Sequence, residues 1–226
     1  MTNCKLDLSN YSTLVFDCDG VVLNSNKVKT QAFYQAALPY GKQAAEALAK
    51  YHVENGGISR YKKFSYFLEH IIPQQTTEGL IDTLLSVYAN HVQEGLLNCE
   101  ISPGIYDLRK ETEHAKWLIV SGGDENELRS IFEIRNISSM FDGGIFGSPD
   151  TKEHILSREQ SNGNISSSSL FLGDSKYDHH AAIGANMDFI FLNKWSEVNN
   201  WQQWCEDKKI RHRSDLSSLT SLSCNY

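Results

Sequence analysis

From about residue 103 onward the chain alternates short apolar runs with stretches of helical periodicity, and that rhythm leaves few architectures open. After Pro103 and Gly104 a helix is expected over 105–115, a strand over 117–120, a helix over 125–132, a short strand over 144–146 and a helix from Thr151. A strand over 169–172, a helix around Ala181 and a strand over 188–192 complete the series. Strand–helix–strand repeats of this kind predict an α/β protein, a Rossmann-like parallel sheet flanked by helices on both faces. An earlier run, Thr13, Leu14, Val15 and Phe16, reads as one more buried strand, ending in the acidic turn Asp17, Cys18, Asp19, Gly20.

Between that turn and the alternating region the pattern is helical throughout. Phe64, Phe67, Leu68 and Ile71 recur at helix spacing, as do Ile81, Leu84, Leu85 and Tyr88. Gly56, Gly57 and Pro73 interrupt the block, and Thr76 and Thr77 suit a helix cap. The expected organisation is therefore a core made of residues 1–25 and 99–226, with an all-helical cap, 26–98, inserted after the first strand and hinged near 23–25 and 99–103. Residues 166–169 read as a Ser-rich turn and 214–226 as a weakly ordered tail.

Charge and apolar run length exclude whole classes of function. The 226 residues carry 21 Lys+Arg against 28 Asp+Glu, a net charge of −7. Dispersed basic residues in an acidic chain oppose non-specific binding to nucleic acid. The apolar runs fall short of the roughly 20 residues that cross a bilayer, and the N-terminus lacks a basic end followed by an apolar stretch. A cytoplasmic protein without membrane or nucleic-acid partners is expected. The five cysteines, Cys4, Cys18, Cys99, Cys205 and Cys224, show no CxxC spacing, so free thiols are the default. No oligomeric state can be read from the pattern.

Four polar signals fall where strands are expected to end: Asp17 and Asp19, Ser121 and Gly122, Lys152, and Gly173 and Asp174 followed by Asp178. In an open parallel sheet, ligands bind beyond the carboxyl ends of the strands, so these signals should converge. One carboxylate of the first pair can attack an electrophile while the other exchanges a proton. Asp174 and Asp178 would add repulsive charge unless a cation holds them, and Mg²⁺ suits oxygen ligands of this kind. Ser121, the Gly122 N–H and Lys152 suit the oxygens of a phosphoryl group. Alternatives stay open for single motifs. The Asp-x-Asp-Gly string could be a solvated turn, 121–124 also reads as a helix cap, and Lys176 competes with Lys152. His179 and His180 point in different directions on a helix and suit surface positions better than a metal. Cys18 reads as a small buried side chain, and Trp195, Trp201 and Trp204 as packing for the last helix.

The string from Leu14 to Asp17, Cys18, Asp19, Gly20 and on to Ser25 resembles the first motif of the haloacid dehalogenase superfamily, in its phosphatase and phosphomutase branch. Ser121-Gly122, Lys152 and Asp174-x-x-x-Asp178 follow in that family's order. The resemblance implies Asp17 as the nucleophile that forms an aspartyl-phosphate and Asp19 as general acid/base. Asp17, the backbone carbonyl of Asp19 and Asp174 would ligate Mg²⁺, with Asp178 acting through a metal-bound water, and Ser121, Gly122 and Lys152 would bind phosphate. The inserted helices resemble the cap of the phosphoglycolate phosphatase and β-phosphoglucomutase subgroup. Within them Gly56-Gly57-Ile58-Ser59-Arg60 resembles a substrate loop, with Arg60 and Lys63 reaching an anionic or hydroxylated substrate. Asn24 departs from the commonest motif, which has Asp there.

The expected activity is a Mg²⁺-dependent phosphohydrolase acting on a small phosphorylated metabolite, with a sugar phosphate one candidate. The alternatives are a sugar phosphomutase of the β-phosphoglucomutase type and a non-catalytic phosphate-ligand or partner-binding protein. Dehalogenation is disfavoured, since it needs neither Asp19 nor a metal clamp. Phosphonate cleavage through a lysine Schiff base, with Lys27, Lys29 or Lys63, is a weaker fit.

Overall fold

The strand that opens the fold, β1 (Thr13–Phe16), is buried along its whole length because it lies in the middle of the sheet. Parallel neighbours on both edges and helices on both faces leave no solvated side, which is why its sequence is a continuous apolar run. In this computed structural model, which describes residues 7–73 and 78–220, Leu14 pairs with Trp117 on one side and Leu170 on the other.

Four helices follow β1: α1 (Asn26–Ala37), α2 (Lys42–Glu54), α3 (Arg60–Tyr66) and α4 (Leu80–Asn98). α1 packs on α2 and α4, and Phe33 centres an aromatic cluster with its ring 5.2 Å from Phe64 and 4.5 Å from Tyr88. α3 runs into a single π-helical turn at Phe67–Ile71. Thr76 and Thr77 lie outside the described residues. The chain then alternates: α5 (Ile105–Glu111), β2 (Lys116–Asp124), α6 (Glu125–Ile134), β3 (Gly144–Ser148), α7 (Lys152–Ser161), β4 (Ser169–Gly173), α8 (Lys176–Gly184), β5 (Asp188–Leu192), α9 (Trp201–Lys208) and β6 (Arg211–Arg213).

The sheet has the order β3-β2-β1-β4-β5-β6 and every pairing is parallel. Side chains alternate across it. Leu14, Phe16, Trp117, Ile119, Leu170 and Leu172 belong to one apolar cluster, and Val15, Leu118, Val120, Phe171, Phe189 and Phe191 to another. The buried Trp117 indole N–H donates to Thr112 Oγ1 at 3.0 Å, so burial leaves no polar atom of that ring unpaired.

The two connections to the helical block run side by side. Asn24 N–H donates to the Glu100 carbonyl, Ser102 N–H donates to the Val22 carbonyl, and Leu23 and Ile101 form an isolated antiparallel bridge. The guanidinium of Arg135, the residue after α6 (Glu125–Ile134), donates to the carbonyls of Leu96 and Cys99, satisfying the end of α4.

Several expectations need correction. β2 runs on through Ser121, Gly122 and Gly123 to Asp124 rather than stopping at Val120, with a register shift against β3 between Val120 and Asp124. Of the tail expected over 214–226, residues 221–226 lie outside the described residues, and 214–220 are ordered: Asp215 caps a 3₁₀ turn, Leu216–Leu219, and Leu216 is buried. Trp201 and Trp204 do pack α9 against Phe191, but Trp195 lies in the loop before that helix.

Candidate active site

β1, β2 and β3 extend the sheet in one direction and β4, β5 and β6 in the other, so the chain reverses its course between β1 and β4. A crevice opens at such a point, beyond the carboxyl ends of the two strands. Asp17 follows β1 and Asp174 follows β4, and their placement is backbone-driven: the Asp17 N–H continues the ladder by donating to the Leu172 carbonyl at 2.9 Å. The chain then turns sharply, with the Cys18 carbonyl accepting from the N–H groups of Val22 and Leu23. Gly20 is required in this turn twice over. Its φ is +74°, and a Cβ there would lie 2.0 Å from Asp174 Oδ2.

Asp17, Asp174 and Asp178 are buried, and ligand oxygens from all three lie within 4.8 Å of one another. Asp178 reaches the group because Ser175 and Asp178 form a capping box at the start of α8. Its Oδ2 accepts from the Ser175 hydroxyl at 2.7 Å and from the N–H groups of Asp174 and Ser175. Lys152, at the first position of α7, brings a buried ammonium to this cluster: its Nζ lies 2.9 Å from Asp17 Oδ1 and also bonds Asp178 Oδ1. Its competitor Lys176 is exposed and lies over the Trp204 ring.

The electrostatics are those of excess negative charge. Burial, and then the neighbouring Asp178 and Asp17, push the Asp174 carboxyl well above the usual carboxylate range. Burial also pushes Asp17 up, to about 7, against the pull of Lys152. One lysine cannot balance three carboxylates at this spacing, whereas a hard divalent cation can. The oxygen-only donor set fits such an ion.

Asp19 stands apart from that cluster. Its Oδ1 accepts from the Ser25 hydroxyl and its Oδ2 from Lys29 Nζ, each at 2.5 Å. Burial opposes its ionisation, yet Lys29 and Ser25 hold it below the usual range. Asn26 donates to Asp174 Oδ2 at 2.7 Å and to the Trp195 carbonyl at 2.9 Å. Sequence reasoning missed Asn26 as a support for the site and weighed Lys29 only as a Schiff-base candidate. The available signal was their position on the first turn of α1, directly after the acidic turn.

Above these groups lies a cavity of about 420 Å³, lined from the sheet side by Asp17, Asp19 and Asp174 and from the helical block by Lys29, Arg60 and Lys63. Gly122 also lines it. Ser121 is buried and its hydroxyl accepts the Gly123 N–H at 3.1 Å, while the capping role at the start of α6 belongs to Asp124. Lys152 lines a second cavity of about 140 Å³, which shares Gly57, Ile58, Gly122 and Tyr177 with the first. Arg60 and Lys63 share the buried face of α3, but Arg60 is already engaged: its guanidinium forms a two-pronged pair with Glu127 on α6 and lies 4.7 Å from the Tyr88 ring centroid. Beside it the Tyr61 hydroxyl donates to Asp124 Oδ2 at 2.8 Å. Together these contacts tie the start of α3 to the start of α6.

Gly122 explains how close that approach is. A Cβ at residue 122 would lie 2.0 Å from the Gly57 carbonyl oxygen, so the loop before α3 rests directly on this glycine. Gly122→Ala should lift the loop, since overpacking against backbone costs about 1–3 kcal/mol, and amide exchange at Ile58 should accelerate about tenfold or more. Exchange in β1 and β4 should stay unchanged. Equal protection of Ile58 in both proteins would show that the loop does not depend on the missing side chain.

A family model described as haloacid dehalogenase-like hydrolase matches residues 14–192. Among solved structures, a β-phosphoglucomutase from Clostridium difficile superposes with a TM-score of 0.70 at 19% identity, covering 94% of this chain and 95% of that one. A predicted phosphatase from Clostridium acetobutylicum gives 0.69 at 17% identity, with 90% and 94% covered. A candidate phosphoglycolate phosphatase from Lactobacillus plantarum gives 0.68 at 21% identity, with 91% and 96% covered. No curated protein matches the sequence.

Proposed function

Because the chain belongs to the haloacid dehalogenase-like hydrolase family, we propose that it is a Mg²⁺-dependent phosphatase that cleaves a small phosphorylated metabolite through an aspartyl-phosphate on Asp17. The observation that carries this reading is the buried cluster Asp17, Asp174 and Asp178 with Lys152 bonded to two of its members, set beneath a cavity large enough for a small metabolite. We assign residues 26–98 as the cap over a core made of 1–25 and 99–226.

In this proposal Asp17 attacks phosphorus, a P–O bond forms to its carboxylate, and the ester P–O bond breaks. Asp19 gives a proton to the departing oxygen. A water then attacks the same phosphorus, Asp19 takes that water's proton, and inorganic phosphate leaves with Asp17 regenerated. The Asp19 carboxylate held by Lys29 and Ser25 is in the form needed for the second half; donating in the first half requires it to carry a proton. Lys152, the Ser121 hydroxyl and the Gly122 N–H stabilise the phosphoryl oxygens as charge spreads over them. Asp17, Asp174, Asp178 and the Asp19 carbonyl are the groups that would hold Mg²⁺. When bound, the cation supplies the positive charge that lets a carboxylate and a phosphate approach each other.

The test is phosphate release over a broad panel of phosphorylated metabolites, with Mg²⁺ and with EDTA. Release that requires Mg²⁺ is expected for at least one compound. Release unaffected by EDTA, or none from any compound, rejects the proposal. The likeness of fold to a β-phosphoglucomutase supports a second reading, transfer of phosphate within a sugar. That reading predicts an isomerised sugar phosphate without free phosphate in the same assay.

A further inference from the structure

Helix α6 touches the helical block at both of its ends, and the two contacts differ in kind. Just past its far end Arg135 donates to the Leu96 and Cys99 carbonyls, beside the paired segments that join the block to the core. At its start, about 12 Å away along the helix axis, Asp124 and Glu127 reach across to α3. The first contact sits at the pivot. The second sits where any movement about that pivot would be larger.

Arg60 is 7% exposed and Glu127 16%, so their ion pair is largely withdrawn from water, and its two parallel bonds fix both side chains. Acidic residues are common at helix starts because the N-terminal N–H groups favour them. That preference accounts for the residue types and not for their aim. Asp124 caps α6 with Oδ1, which accepts the Glu127 N–H at 3.0 Å, and turns Oδ2 to the Tyr61 hydroxyl. Both Glu127 oxygens go to Arg60. The guanidinium, which also covers the Tyr88 ring, has its charge met before any ligand arrives.

These bonds hold down the loop 55–58. Gly57, with φ +82°, is wedged between two loops of the core: a Cβ on it would lie 3.1 Å from Ser175 Oγ, and its carbonyl oxygen occupies the place of a Cβ on Gly122. Asn55, Gly56, Gly57 and Ile58 all line the cavity above Asp17.

We propose that Glu127 and Asp124 are positioning residues: through Arg60 and Tyr61 they seat the loop 55–58 as the roof of the phosphoryl pocket, and Arg60 serves this clamp rather than the substrate. The kinetic consequence rests on the phosphatase reading above. An ion pair suits a seam that has to part, because both charges are rehydrated when it opens, whereas an apolar seam would expose its whole area to water. A seated roof keeps bulk water away while Asp17 attacks phosphorus.

Amide exchange in the ligand-free protein reads the clamp directly. Glu127→Gln keeps the shape and removes the charge, so exchange at Ile58 and Lys63 should accelerate about tenfold while β1 and β4 stay unchanged. Tyr61→Phe removes the second bond without stranding a buried charge, and should move the same amides in the same direction by about threefold. Arg60→Gln should resemble Glu127→Gln, and the double variant should exchange no faster than either single one, since all three break one contact. For an ester that the parent hydrolyses, kcat/KM should fall about tenfold in each single variant and no further in the double. Unchanged exchange in Glu127→Gln, or a double variant whose loss in kcat/KM is the product of the single losses, would overturn the inference. A lower KM in Glu127→Gln would overturn it too, because it would mean that the carboxylate merely kept Arg60 from a ligand. If no ester is hydrolysed while exchange follows this pattern, the phosphatase reading has failed and the clamp stands.

Discussion

Asp17→Asn is expected to reduce phosphate release by at least about 10⁴-fold while leaving the fold as stable as before or more stable. The amide matches the carboxylate in shape and its oxygen can still accept the Cys18 N–H. It cannot attack phosphorus to form an acyl phosphate. Removing the charge also relieves a cluster in which burial already pushes Asp17 upward, so a melting temperature equal to or above that of the parent separates loss of chemistry from loss of structure. Undiminished release by a homogeneous Asp17→Asn sample would refute the assignment of the nucleophile. Intact-protein mass spectrometry of Asp19→Asn after exposure to a substrate provides a companion measurement. With no group to activate water, a phosphorylated protein should accumulate and resolve slowly.

The second large effect concerns Lys152. The side chain is buried and holds Asp17 and Asp178 together. Lys152→Met keeps most of its volume and removes the charge, leaving the carboxylates of Asp17, Asp174 and Asp178, with oxygens within 4.8 Å of one another, without the lysine's neutralising charge. Breaking a buried ion pair from one side costs about 3–5 kcal/mol, which in a chain of this size lowers the melting temperature by about 10 °C when EDTA is present. Millimolar Mg²⁺ should raise the melting temperature of the variant more than that of the parent, because a cation held by the same oxygens takes over part of the lost neutralisation. An unchanged melting temperature in EDTA, with the same response to Mg²⁺ in both proteins, would show that these carboxylates do not share the charge problem described here.

The parts of this fold that can be read from the sequence are those where burial acts on both faces at once. β1, β4 and β5 lie inside the sheet, so each is mostly a run of apolar residues, and β1 and β4 show their ends by the change to Asp or Gly. That change of composition also marks Asp17 and Asp174, which is why the acidic half of the candidate site is legible in the sequence. β6 gave no such signal: Arg211, His212 and Arg213 form a short edge strand that faces solvent and follows no apolar pattern. The continuation of β2 through Gly122 and Gly123 was hidden because paired glycines ordinarily mark a turn, whereas here they leave space for a loop from α3 and for the Leu128 side chain.

Long-range partnerships were illegible for a different reason. The spacing of Arg60 and Lys63 on α3 places both on one face, but nothing in that spacing reveals that Glu127 has claimed the guanidinium or that His52 lies beside the amine. Side-chain pairing between separate elements depends on how those elements cross, and helix periodicity carries no information about crossing. Asn26 supports Asp174 across 148 positions of sequence for the same reason.

The order of the strands has a consequence for synthesis. β1 is made first, yet one of its two neighbours is β4, and that pairing closes a loop that takes in the helical block and most of the alternating region. Loop closure on this scale is entropically slow to be rewarded. A ribosome-bound chain that has not yet released β4 therefore carries the aspartate of β1 with no second carboxylate to face it. Under the proposed mechanism, catalytic competence has to wait for β4 to pair with β1, and a product truncated before β4 is inactive.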